Sequence, residues 1–219
     1  MGRTLSVQEI KTIADRHGIE PFSPRDRAMI LLAGLAYFSA MDLTLVRVRD
    51  VITERYGIVL DGYLPADASA DRRERYFFIG KSTVLRQALS DYIDWRIRAG
   101  VGVLDLGLFC GLDPDSRLFA TDGGSDYSLT HKKGSGGRTL SQALQVQRQF
   151  QRYQMGEGVS LSVLMDSFIA NFWDVKSKQG TAQAIRDLMS MTNMTAETLR
   201  KKCIRQESSI RDILGSLYK

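Results

Sequence analysis

Ser23-Pro24-Arg25-Asp26-Arg27-Ala28-Met29-Ile30-Leu31-Leu32 runs on, still apolar, to Phe38, and after three residues comes Asp42-Leu43-Thr44-Leu45-Val46-Arg47-Val48-Arg49-Asp50-Val51. Ser23 is a natural N-cap, and Pro24 fits the first helical position, where no N–H is needed. Apolar residues on almost every side from Ala28 to Phe38 predict a helix buried on most faces. Asp42 to Arg47 predicts a second, short helix, and the branched run Val48 to Ile52 a short strand.

Upstream, Ser6-Val7-Gln8-Glu9 has the spacing of a capping box and opens a helix that Gly18 ends. Downstream, Tyr56 to Leu60 and the aromatic Arg75 to Ile79 read as strands. With Val48 to Ile52 they make a small antiparallel sheet in the first half of the chain, with the polar loop Asp67 to Asp71 between the last two. Ser82 to Arg98 places Leu85, Leu89, Tyr92, Ile93 and Ile97 near helical spacing. Arg117 to Ala120 is a short extended piece. Thr121 to Arg138, rich in Gly, Ser and Asp, reads as a loop. Helices follow over Thr139 to Met155, Leu161 to Trp173, Thr181 to Met189, Thr195 to Arg205 and Ser208 to Leu217. The fold class is α+β, mostly helical, in one domain over residues 1–219.

Composition narrows the function classes. Of the 219 residues, 43% are hydrophobic and 25% charged, which fits one globular core. The longest apolar stretch, Ala28 to Phe38, is too short to span a bilayer, and the N-terminus has no signal-peptide pattern. Both point to the cytoplasm. Cys110 and Cys203 make neither a disulfide framework nor a zinc site. His17 and His131 are too few for a metal or a catalytic dyad, so no metal or cofactor is expected. Ile79-Gly80-Lys81-Ser82-Thr83 resembles a phosphate-binding loop only in part, because Arg75 stands where its first glycine belongs. Trp95 and Trp173 sit on helices and read as packing residues.

The net charge is +5, and its distribution says more than its size. From His131 to Arg152 the chain holds Lys132, Lys133, Arg138, Arg148 and Arg152 and no carboxylate. Arg200, Lys201, Lys202 and Arg205 form a second cluster; Arg72, Arg73 and Arg75 form a third. Such clusters neutralise phosphates and release counterions. Arg72, Arg73, Arg75, Lys132, Lys133, Arg138, Arg148, Lys201 and Lys202 are the expected contacts to double-stranded DNA.

The local sequences resemble the catalytic domain of tyrosine recombinases of the phage integrase type. Arg25 to Leu32 is similar to the helix that opens that domain. Asp42 to Val51 resembles its Glu-Leu-Leu-x-Leu-Arg-x-x-Asp-Val stretch, and Arg73-Glu74-Arg75-Tyr76-Phe77-Phe78-Ile79 its hairpin strand. Arg117-Leu118-Phe119, Leu140-Ser141-Gln142-Ala143-Leu144 and Leu164-Met165-Asp166-Ser167-Phe168-Ile169-Ala170 resemble later elements in the same order. The resemblance implies a fold built to cleave DNA with a tyrosine while two arginines, a lysine and two histidine-type donors hold the phosphate.

Carried over, those chemical positions are filled by other residues. Ser39 stands for the first arginine, with Asp42 as its acidic companion. Ala70 stands near the hairpin lysine. Ser162-Val163-Leu164-Met165-Asp166 replaces His-x-x-Arg-His, Met191 stands for the late His or Trp, and Arg200 falls near the tyrosine. The resemblance therefore implies a recombinase fold without catalysis: a DNA-binding regulatory or accessory protein of a plasmid, phage or integrative element. It also implies that the N-terminal DNA-gripping domain of integrases is absent. Two other readings stand beside it. One is a protein–protein scaffold, in which the amphipathic C-terminal helix joins a second copy or a recombinase partner. The other is a divergent strand-exchange enzyme using Tyr218.

Overall fold

A computed structural model describes residues 3–17, 24–55, 57–80, 82–104, 107–133, 139–157 and 159–203. Ser23, Arg138, Arg205, the expected helix from Ser208 to Leu217 and Tyr218 lie outside them.

The opening capping box forms as expected. Ser6 Oγ accepts the N–H of Glu9, and the Glu9 carboxylate accepts the N–H of Ser6 at 2.8 Å, starting α1 (Val7–Arg16). The backbone hydrogen bond and the Ser6 hydroxyl hold the Glu9 carboxyl below its usual range. α2 (Pro24–Ala36) is the hub of the fold and packs on α1, on α5 (Thr83–Arg98) and on α7 (Leu161–Lys176). It is buried almost all round, which is why its apolar residues follow no single stripe. Gly34 lets α1 come close, since a Cβ there would lie 2.8 Å from the Ile10 side chain. Leu5 is strapped to α7, its N–H donating to Ser167 Oγ at 2.8 Å and its carbonyl accepting Asn171 Nδ2 at 2.9 Å.

α3 (Ala40–Leu45) starts two residues before the expected helix, capped by Ser39. The expected strand Val48 to Ile52 is instead a helical turn, α4 (Val48–Val51). The Asp50 carboxylate accepts the N–H of Arg47 at 2.8 Å and the N–H of Ile52 donates to Val48 at 2.8 Å, so a local side-chain bond overrides β-branching. The strand expected over Tyr56 to Leu60 also moves. Within it Ile58 forms only an isolated antiparallel bridge with Ile52, and the ladder begins just past Leu60, with β1 (Asp61–Leu64) antiparallel to β2 (Arg75–Phe78).

A second ribbon lies where a loop was expected. β3 (Thr130–Lys133) pairs antiparallel with β4 (Thr139–Gln142), residues read from the sequence as the first turn of a helix. Every β3 residue is exposed, so this strand has no buried apolar face to announce it. α6 (Leu144–Glu157) begins only after it. α7, α8 (Thr181–Thr192) and a helical run over 196–203 complete the described chain.

The loop after α5 is held by a buried arginine. Arg96 is 1% exposed and donates to the carbonyls of Val101, Arg117 and Leu118 and to Ser116 Oγ. Replacing it with methionine keeps much of the volume but leaves those carbonyls unpaired. The expected loss is about 3–5 kcal/mol of folding free energy, read from urea unfolding.

Candidate nucleic-acid interface

Four of the positions that the resemblance assigns to chemistry come together. Ser39, Ala70, Ser162 and Met165 line one open cleft of about 500 Å³, with Ala40, Met41, Phe150 and Leu161 as its apolar wall. Gln147 and Gln151, one turn apart on α6, and Ser160 complete it. Among the described residues, no ionisable side chain lines this cleft.

Several of these positions have a local structural task. Ser39 Oγ caps α3 by accepting the N–H of Asp42 at 3.2 Å. Ser160 caps α7 and exchanges a 2.8 Å hydrogen bond with Ser162 Oγ. Asp42 is 2% exposed and saturated: it accepts the N–H of Ser39 at 2.8 Å, the N–H of Ala70 at 3.0 Å and Arg75 Nη2 at 2.9 Å. Met191 is buried in a small cluster with Tyr37, Phe168, Ile185 and Leu188, and its carbonyl accepts Arg75 Nη1 at 2.6 Å. Arg200 is exposed on the last helical run.

Arg75 corrects one expectation. It is 3% exposed, held by Asp42 and Met191, and its guanidinium lies over the rings of Tyr37 and Phe38 at 5.7 and 5.4 Å. It is a core residue, not a surface contact for phosphate. The signal was in the strand: in β2, alternation puts Arg75 on the same face as the fully buried Phe77. Tyr37, under the Arg75 guanidinium, is buried too. Burial pushes its hydroxyl up to about 12, against the pull of Arg75 and helped by Asp166 and Asp42, so it keeps its proton at neutral pH.

The expected cations lie on elements that carry cleft residues or lead into them. Arg72 and Arg73 are exposed in the loop that carries Ala70. Arg148 and Arg152 are exposed on α6, next in sequence to the cleft residues Gln147 and Gln151. Lys132 and Lys133 are exposed on β3, in the ribbon that leads into α6. Lys201 is paired with Glu197 at 2.6 Å, and Lys202 is bonded to Asp166, beside Met165. Asp166, which falls at the second histidine of His-x-x-Arg-His, thus has a cationic partner. Sequence reading missed Gln147, Gln151 and Ser160. The spacing of the glutamines beside Arg148 and Arg152, within the carboxylate-free stretch from His131 to Arg152, was the available sign.

Arg75→Met should leave the Asp42 charge buried without its cation and cost about 3–5 kcal/mol in urea unfolding. Adding Asp42→Asn to it should restore part of that loss, so the double-mutant cycle should show a coupling above about 1 kcal/mol.

Comparison with known proteins adds one firm result. No family model matches the sequence, and no curated protein matches it. Among solved structures, the chain superposes on the crystal structure of XerA recombinase with a TM-score of 0.63 at 15% sequence identity, over 100% of this chain and 66% of that one. The chain thus spans just under two thirds of the length of that structure. A mostly helical architecture with small antiparallel ribbons, similar to a tyrosine recombinase fold, is what the two chains share.

Proposed function

We propose that this chain is a DNA-binding protein of tyrosine recombinase fold without strand-cleaving chemistry, acting as a regulatory or accessory protein of a plasmid, phage or integrative element. The setting follows from the resemblance alone. The observation that carries the loss of chemistry is the cleft lined by Ser39, Ala70, Ser162 and Met165 with no ionisable side chain. A phosphorane gathers negative charge in the transition state, and catalysis needs fixed cations or donors in contact with it. Losing one such donor costs roughly 10²–10³ in rate. Here two hydroxyls, an alanine methyl and a thioether stand in place of four of those groups. The leaving 5′ oxygen also needs an acid, and the lining residues offer none.

DNA binding is supported by exposed cations on the loop before β2, on β3 and on α6. Arg72, Arg73, Lys132, Lys133, Arg148 and Arg152 are exposed, and no carboxylate falls between His131 and Arg152. Each phosphate neutralised releases counterions and steepens the salt dependence.

Fluorescence anisotropy across a salt series tests the binding. Duplexes from the protein's own gene neighbourhood, against a scrambled control, should bind with an affinity that falls steeply with salt. Lys132→Ala with Lys133→Ala should weaken binding and flatten the log–log slope by about 1.8, the value for two lost phosphate contacts. An unchanged slope would remove these lysines from the interface. On a nicked suicide substrate no covalent protein–DNA adduct should form, and an adduct lost in Tyr218→Phe would overturn the loss of catalysis.

A further inference from the structure

We propose that the cleft is a binding site for a single uncharged nucleobase, adenine above all, held by the side-chain amides of Gln147 and Gln151. The base comes from a free nucleoside or is turned out of a duplex, and only the second source rests on the DNA-binding reading above.

The residue types around the cleft select the ligand. Among the described residues that line it none is ionisable, so a charged ligand would lose its hydration there with no counter-charge to offset the loss. Met41, Leu161 and Met165 on the apolar wall are half-buried, which leaves part of each side chain open to a ligand. Thioethers adapt in shape and make favourable contacts with aromatic rings. The cleft volume of about 500 Å³ falls within the range of roughly 300–1,000 Å³ usual for small-molecule sites. A nucleobase matches this mixture, with two apolar faces, a hydrogen-bonding edge and no charge at neutral pH.

The polar groups that meet such an edge are not used by the fold. Gln147 and Gln151 are exposed, one turn apart on α6, and neither side-chain amide has a hydrogen-bond partner among the described residues. A glutamine amide presents a donor and an acceptor side by side. Adenine offers the complement, an N7 acceptor beside an N6 donor, and takes glutamine in a bidentate contact. Ser39 Oγ accepts the N–H of Asp42 and keeps its own hydrogen to donate. Ser160 and Ser162 share one hydrogen bond of 2.8 Å, so one of their two hydroxyl hydrogens is left over. The frame is set before any ligand arrives, because the buried Asp42–Arg75 pair fixes Ser39 and the loop of Ala70. A site formed in advance spends less of its binding energy on ordering.

Two readouts on the full-length protein separate the sources. Saturation-transfer NMR with adenosine reads the free nucleoside: saturation should pass to the adenine ring protons, and Gln147→Ala/Gln151→Ala, at two exposed positions, should abolish it. Fluorescence anisotropy reads the duplex, with three forms of one sequence: fully paired, carrying a single unpaired adenine, and carrying an abasic linker at that place. The abasic form keeps the bend and lacks the base. An unpaired base costs least to turn out, so the adenine form should bind at least fivefold tighter than the abasic one, and the double variant should bring the two within twofold. Either signal, lost in the double variant, supports the site and names the source. A signal that persists in the double variant puts the base elsewhere and overturns the proposal. Duplex binding with no saturation transfer and no preference for the unpaired adenine would overturn it too, and leave DNA binding standing. Saturation transfer to adenosine without binding to any duplex would overturn the DNA-binding reading alone.

Discussion

The ion pair between Arg75 and Asp42 is the constraint on which the cleft depends. Two charges at 3% and 2% exposure stand in the core, 2.9 Å apart. Such a pair survives burial only if the remaining donors and acceptors are also met. They are: Asp42 takes the N–H groups of Ser39 and Ala70, Arg75 gives its other Nη to Met191, and the guanidinium rests on two aromatic faces. One carboxylate thereby fixes two walls of the cleft, the start of α3 and the loop before β2. One guanidinium joins β2 to the last turn of α8. The cluster around Phe168, Ile185 and Leu188 meets the rest of the molecule in part through this link.

The bonds that hold the cleft's shape are independent of any chemistry inside it. Ser39 keeps its place because it caps a helix whose third residue is locked by Arg75. Ser167, 0% exposed, keeps its place because it bonds Leu5 and the carbonyl of Val163 within α7. None of these bonds requires a cation in the cleft. The groups that a phosphate needs and the groups that the fold needs are different atoms, so losing the first leaves the second intact.

How much was legible follows the same division. α1, α2, α5 and α7 were readable because capping, periodicity and continuous burial leave marks in sequence. α4 was not, because Val48 and Val51 look like strand residues and only the Asp50 side chain turns them into a helix. β3 was hidden for the opposite reason: an exposed strand needs no apolar alternation, and its residues are those of loops. In the site, Ser39, Ala70, Ser162 and Met165 were placed by resemblance, and they meet in one cleft. Arg75 was read as surface because charge outweighed strand alternation in that reading. Its partner Asp42 lies 33 residues earlier, beyond any local pattern.

The rim cations are not equivalent, and the difference bears on what they can do. Glu197 and Lys201 lie one turn apart on an exposed helix face, 68% and 77% exposed for the lysine and the glutamate. Such pairs contribute little, so Lys201 can turn to a phosphate at small cost. Lys202 and Asp166 are about half as exposed, and their contact joins the last helical run to α7 beside the cleft. Drawing Lys202 away would leave Asp166 facing the same phosphate, and the two effects oppose each other. Arg72, Arg73, Lys132, Lys133, Arg148 and Arg152 stand clear of this pairing, on the loop and the ribbon–helix unit beside the cleft. Under the DNA-binding proposal these six avoid that trade-off, whereas charge building up on a phosphate inside the cleft would need a cation in contact with it.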